Sequence, residues 1–171
     1  MIWRALLTIA LLLIGVPVFL AEASTESLSQ AEAHLLARLQ KETDPVKKSK
    51  AETRLARVKL EQAIQAYNQG NVEQGAQLVS AYLARIKDSW QLLKNCGKNA
   101  ARDPRGFKEL DIELREDVRF LDDLKRQVSY FDRAPLEQAG KELEQVRAQV
   151  LQALFPAART TETTKPLGKT H

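Results

Sequence analysis

Few residues in this chain have the type and spacing that chemistry needs. There is one cysteine, Cys96, and there are two histidines, His34 and His171. A single thiol makes no internal disulfide and excludes the C-x-x-C-H attachment of a c-type haem. As a nucleophile Cys96 would want a base beside it, and no histidine lies near it in sequence. It therefore reads as a partly buried free thiol at a helix end, with an intermolecular disulfide, and hence a homodimer, as the alternative. His34 follows Glu32 by two positions and falls beside the apolar stripe, a boundary place rather than a ligand's. The strings that cradle phosphate, activate serine, bind zinc or hold a dinucleotide are all missing. So is the paired Glu-x-x-His of di-metal bundles. The expectation is a protein that is not an enzyme and needs no cofactor or metal.

Two other features carry charge where it has consequences. Asp117 interrupts an otherwise apolar row, and a carboxylate there costs energy unless it is paired or solvated. Its near neighbours Arg115 and Arg119 point elsewhere on a helix. The favoured expectation is that the row drifts locally toward Val118 and leaves Asp117 at the rim. The other is that an arginine from a second helix pairs with it and fixes register. The second feature is a basic stretch, with six positive and two negative charges between residues 45 and 69. That local excess equals the +4 of the whole chain. At 100° per residue Lys47, Lys50, Arg54 and Arg57 share one helix face. An ordinary solvated surface is one reading; a patch for lipid headgroups or acidic polysaccharide is the other. The acidic run from Glu109 to Asp123 alternates with basic residues and reads as a solvated face. Nucleic acid is not expected, because no aromatic residues are interleaved with the basic ones.

The elements that must position these groups are helices. From about 26 to 155 the apolar residues recur at a period of 3.5 to 3.6, with no alternating stretch. Ser27-x-x-Gln30 looks like a capping box opening a first helix over about 27–42, with Leu28, Ala31, Leu35 and Leu39 on its stripe. Asp44 and Pro45 suit the start of a second, over about 45–69, whose stripe of Val46, Ser49, Thr53, Ala56, Leu60, Ala63 and Tyr67 is thin in its first half. The third, about 72–95, repeats Val72, Ala76, Val79, Leu83, Ile86, Trp90 and Leu93 at spacings of 4 and 3. The fourth, about 106–132, continues that rule from Phe107 through Asp117 to Val128 and Phe131. The fifth, about 135–155, carries Leu136, Ala139, Leu143, Val146 and Val150. Such rods on short links predict an all-α antiparallel bundle of four to five amphipathic helices. The link 96–105 is the longest, suited to a crossover or an exposed turn.

The ends differ in composition from this body. Met1–Arg4 is short and basic, residues 5–20 are almost wholly apolar, and Ala21-Glu22-Ala23 is an A-x-A site. This is the order of a cleavable signal peptide over 1–23, and the apolar run is short of the ~20 residues a spanning helix needs. An uncleaved N-terminal anchor is the alternative. Residues 24–155 form the expected bundle domain, and 156–171, rich in Thr, Pro and Lys, read as a disordered tail. The product is expected to be periplasmic or secreted.

Tyr67-Asn-Gln-Gly70-Asn71-Val72-Glu73-Gln-Gly75 resembles the interhelical turn of tetratricopeptide repeats, with an aromatic, a glycine, Asn, and a small residue five positions on. The resemblance covers nine residues. No second copy stands at the family's 34-residue interval, and the flanking helices are nearly twice the family's length. Helix capping alone produces the same string. Taken together, these readings point to an exported, non-catalytic bundle, an envelope structural or protein-interaction module whose partner is a protein. A small-ligand- or metal-binding bundle is the alternative, with Tyr67, Tyr82, Trp90, Phe107, Phe120, Tyr130 and Phe131 as candidate pocket lining.

Overall fold

Residues 18–156 are described by the computed structural model, with side chains from residue 26 onward. They form helices α1 (Val18–Lys41), α2 (Pro45–Asn68), α3 (Val72–Lys94), α4 (Phe107–Gln127) and α5 (Ala134–Leu154), with a 3₁₀ turn at Tyr130–Asp132. The five helices pack together, and the described residues include no strand. Most of the expected leader and tail, residues 1–17 and 157–171, lies outside the described residues.

Local chemistry sets the borders of α2. The Asp44 carboxylate accepts hydrogen bonds from the backbone N–H groups of Val46 at 2.8 Å and Lys47 at 3.2 Å, and Pro45 takes the first turn. Those bonds hold the Asp44 carboxyl below its ordinary range. At the other end Gly70 adopts φ +79°, the Gly70 N–H returns to the Tyr67 carbonyl and the Asn71 N–H to the Ala66 carbonyl. This pair of bonds is a Schellman closure, and it reverses the chain into α3. Five residues on, Gly75 lies under the Tyr67 ring, where a Cβ would stand 2.6 Å from ring carbons. The small position in the turn is therefore a packing requirement.

Two expected borders move. No helix begins at Ser27, because α1 runs through that position from Val18 and makes it interior. The fourth helix ends at Gln127 rather than near 132. Val128 and Ser129 turn extended, and the chain reverses through the 3₁₀ turn so that α5 can pack back on α4. Phe131, which continues the apolar spacing in sequence, is 89% exposed as a result.

Side-chain pairs give the helix directions. Ser49 meets Ser89, Glu52 meets Arg85 and Tyr67 covers Gly75, so α2 and α3 run antiparallel. The short turn and the Arg147–Asp111 bond do the same for α4 and α5. Across the two hairpins the pairs rise together: Lys50 with Glu109 and Arg57 with Asp117, Lys87 with Glu142 and Trp90 with Gln149. Hence α2 lies parallel to α4, and α3 parallel to α5. The link between α3 and α4 is a diagonal crossover, since those two helices do not pack along their lengths. Gly106, at φ +81°, ends the crossover where a Cβ would press on Val46 and Leu93.

The core lies between the hairpins. It includes Leu60, Val79, Tyr82, Ile86, Leu93, Leu110, Leu114, Leu121, Leu143 and Val150, each almost fully buried. Trp90 packs edge-on against Phe107 at 6.3 Å and donates its indole N–H to the Gln149 amide oxygen at 2.8 Å. Helix α1 is peripheral. It lies on α2, held by Lys59 and Gln62 at Glu32, and none of its described side chains is buried.

Candidate functional site

The charged groups singled out in the sequence converge on the seam between α2 and α4. Asp117 is not at the rim, for its side chain is 2% exposed. Its carboxylate accepts hydrogen bonds from the Arg57 guanidinium of α2 and, at 2.9 Å, from the Tyr82 hydroxyl of α3. Burial raises the Asp117 pKa to about 6; the Tyr82 and Arg57 contacts pull it down without cancelling that cost, and Glu113 adds to the rise. Tyr82 is pushed well above the ordinary tyrosine value by burial and by the adjacent carboxylate. The apolar row does not drift toward Val118 here because two other helices supply polar partners.

Arg57 is the hinge of this cluster. Besides Asp117 it lies within 3.8 Å of Glu116 and 3.7 Å of Glu61, and its guanidinium stacks 4.4 Å from the Phe120 ring centroid. Desolvation on one side and cation–π contact on the other suit arginine better than lysine. Asp117 and Tyr82 are both sealed from solvent, and of the three only Arg57 reaches the surface.

Toward the N-terminal ends of the same two helices a groove of about 360 Å³ opens. Its α2 wall includes Ser49, Lys50, Thr53 and Arg54, and its α4 wall includes Glu109 and Ile112. Behind it the Ser49 and Thr53 hydroxyls each lie 2.8 Å from the Ser89 hydroxyl, and Thr53 donates to the Ser49 carbonyl at 3.0 Å. The thin half of the α2 stripe is thus a set of buried, mutually satisfied hydroxyls. Lys50 and Glu109 pair across the mouth at 2.9 Å.

The basic face is consequently not a free patch. Lys50 and Arg57 are engaged by α4 carboxylates, while Lys47 and Arg54 are exposed with no ion pair among the described residues. The acidic run of α4 is correspondingly more than a solvated face. A seven-residue interval separates Lys50 from Arg57 and Glu109 from Glu116, so the two helices meet in matched register, which neither segment marks by itself. Nor did the sequence mark Tyr82, Ser89 or the Glu52–Arg85 pair at 3.3 Å.

Other expected positions stay apart from this seam. Cys96 is a half-buried free thiol packed against the core at the end of α3. His34 is exposed on α1. The aromatic residues do not gather around one pocket: Tyr67, Tyr82, Trp90 and Phe107 are core, Arg57 covers Phe120, and Tyr130 and Phe131 are exposed. Among the described residues no group of three His, Cys, Asp or Glu side chains is placed to hold a metal ion. None of the described helices is long and apolar enough to cross a membrane.

Fold and seam together define an all-α protein of five packed helices with a buried Asp117–Tyr82 pair capped by the partly exposed Arg57. No protein-family model, curated protein or solved structure matches the chain.

Proposed function

We propose that the chain is an exported helical-bundle protein that acts through its surface as an envelope structural or protein-interaction module, without catalysis. In this reading residues 1–23 direct export, cleavage follows Ala23, and residues 24–155 are the working unit. The leader pattern of the sequence supports the export step. The observation that carries the interaction role is the state of α1. Leu28, Leu35, Leu36 and Leu39 of this helix are only half-buried against α2. A row of leucines incompletely covered by its own fold is a surface that another protein's helix would complete.

Affinity capture of the tagged protein from the envelope of the exporting cell tests this. A specific protein partner is expected, and Leu35→Ser with Leu39→Ser should release it while the remaining helices stay folded. Recovery of only a bound small molecule would overturn the reading. Intact mass of the exported product tests the leader separately: a chain beginning at Ser24 is expected, and retention of Met1 would replace a free module with an anchored one.

A second reading rests on the α2–α4 groove. Its volume and a rim of mixed charge, with Arg54 unpaired among the described residues and Glu109 and Glu113 on the facing wall, suit a small polar ligand. Loss of such a ligand on Arg54→Ala would favour it.

A further inference from the structure

Helices α2 and α4 run parallel, and their facing charges form a ladder. Lys50, Arg54 and Arg57 follow one another at helical spacing on α2, and Glu109, Glu113 and Glu116 do so at the same intervals on α4. The first rung is closed, with Lys50 and Glu109 at 2.9 Å. So is the third, where Arg57 lies 3.8 Å from Glu116 and also binds Asp117. The middle rung is open. Arg54 is exposed, Glu113 is half-buried, and neither has an ion pair or a hydrogen-bonded side-chain partner among the described residues. The groove of about 360 Å³ opens at this rung: Arg54 and Glu113 line it together with Lys50 and Glu109, whereas Arg57 and Glu116 do not.

The Lys50–Glu109 pair neutralises itself, which leaves the groove one uncompensated cation and one uncompensated anion. The Glu113 charge is felt inside the protein, where it adds to the rise of the Asp117 and Tyr82 pKa values. A cation bound at Glu113 would relieve that repulsion. Arg54 offers a planar fork of donors that matches a carboxylate. Ile112, 48% exposed on the same wall as Glu113, supplies apolar surface. Behind the groove the Ser49 and Thr53 hydroxyls are already engaged with Ser89, so its polar recognition falls to the charged pair. The volume is at the small end of those that hold ligands.

We propose that the open rung binds a small zwitterion of the amino-acid class, with its carboxylate on Arg54, its ammonium on Glu113 and an apolar side chain against Ile112. An anion alone would leave Glu113 unanswered near Asp117, and a cation alone would leave Arg54 unanswered. The inference rests on the reading of the groove as a ligand site and names the class of ligand. It depends neither on export nor on a protein partner.

Calorimetric titration of the protein, in the form the cell makes, with L-leucine, N-acetyl-L-leucine and L-leucinamide tests the inference. Leucine should bind, and the two derivatives, each lacking one charge, should bind about fivefold or more weakly. Arg54→Gln should erase the preference for leucine over leucinamide, and Glu113→Gln the preference over N-acetyl-leucine, both with unchanged helix content. Ile112→Trp, which fills the groove with an indole, should abolish binding. Lys47→Gln, at an exposed cation of α2 outside the groove, should leave it unchanged. Absence of leucine binding at millimolar concentration would overturn the proposal. Equal binding of leucine and N-acetyl-leucine, lost in Arg54→Gln and Ile112→Trp, would keep the groove as a ligand site and overturn the zwitterion. Leucine binding that survives Ile112→Trp would lie elsewhere and would strike the groove reading as well.

Discussion

Helix α2 meets its two long partners in opposite ways. Against α3 it brings small residues to a close seam: Ser49 and Thr53 reach Ser89, Ala56 and Ala63 are fully buried or nearly so, and the Tyr67 ring lies on Gly75. Against α4 the approach is looser. Charged side chains span it, a groove of about 360 Å³ opens within it, and one buried carboxylate anchors it. The first seam is held mainly by dispersion and desolvation of apolar surface, which are non-directional and reward closeness, with the Ser49–Thr53–Ser89 hydroxyls and the Glu52–Arg85 pair satisfied inside it. The second is held by few, directional contacts, which reward register. One helix thus shows that packing and pairing can be divided between faces, and each face should fail in its own manner.

The closed seam should lose the most. Leu60→Ala removes a side chain that is 1% exposed on the stripe facing α3, and should cost about 2–5 kcal/mol. Ile112→Ala removes a side chain that is 48% exposed beside the groove, and should cost under about 1 kcal/mol. Urea unfolding of both variants measures the contrast. Equal losses would mean that the groove is closed in solution and that the two faces of α2 do not differ.

Next in size is the anchor. Asp117 holds its proton more firmly in the folded protein, at about 6, than at its ordinary 3.8. The native state therefore binds more protons than the unfolded chain between those values. Stability contributed by this residue is greatest below about pH 4, falls as the pH rises from there through about 6, and is lost above that. The swing is on the order of 3 kcal/mol at most. Asp117→Asn should remove that part of the pH profile and still accept the Tyr82 hydroxyl hydrogen bond. Asp117→Leu should instead strand the Tyr82 hydroxyl, which is fully buried, at about 1–3 kcal/mol. Tyr82→Phe in the same chain should recover much of that loss. Unfolding curves over about pH 4 to 7 check all three. Higher stability in Asp117→Leu would show the charge to be dispensable for the fold.

The unequal legibility of the two seams follows from their physics. Apolar stripes repeat with the helix, so Leu83, Ile86, Trp90, Leu114 and Val150 were readable as core from spacing alone. Capping is local, so Asp44, Pro45 and Gly70 declared the borders of α2. Pairing between distant segments is written in no single window. Asp117 was conspicuous, but its partners lie 60 and 35 residues away, and Tyr82 carries no mark of being a donor. Arg57 looked like one of four exposed cations because the sequence does not say which face of α2 a later helix will cover. The end of α4 was misplaced for a related reason: Phe131 keeps the apolar spacing, but tertiary closure requires the chain to turn before it. Serine and threonine weakened the expected stripe at its start, whereas in the fold their hydroxyls satisfy one another and let α3 approach.

The smallest effect tests whether the open seam depends on charge at all. Lys50 and Glu109 pair at 2.9 Å with about half of each side chain exposed, a setting in which solvent and salt screen the attraction. Lys50→Glu should place two carboxylates face to face and cost under about 1 kcal/mol, less at high salt. Adding Glu109→Lys should restore stability to within a few tenths of a kcal/mol, since the reversed pair keeps the same geometry. Chemical unfolding at low and at high salt measures both steps. A failure of the reversed pair to recover would mean that Lys50 contributes through its aliphatic stem against the groove wall, in the manner of the α2–α3 seam, and not through its charge.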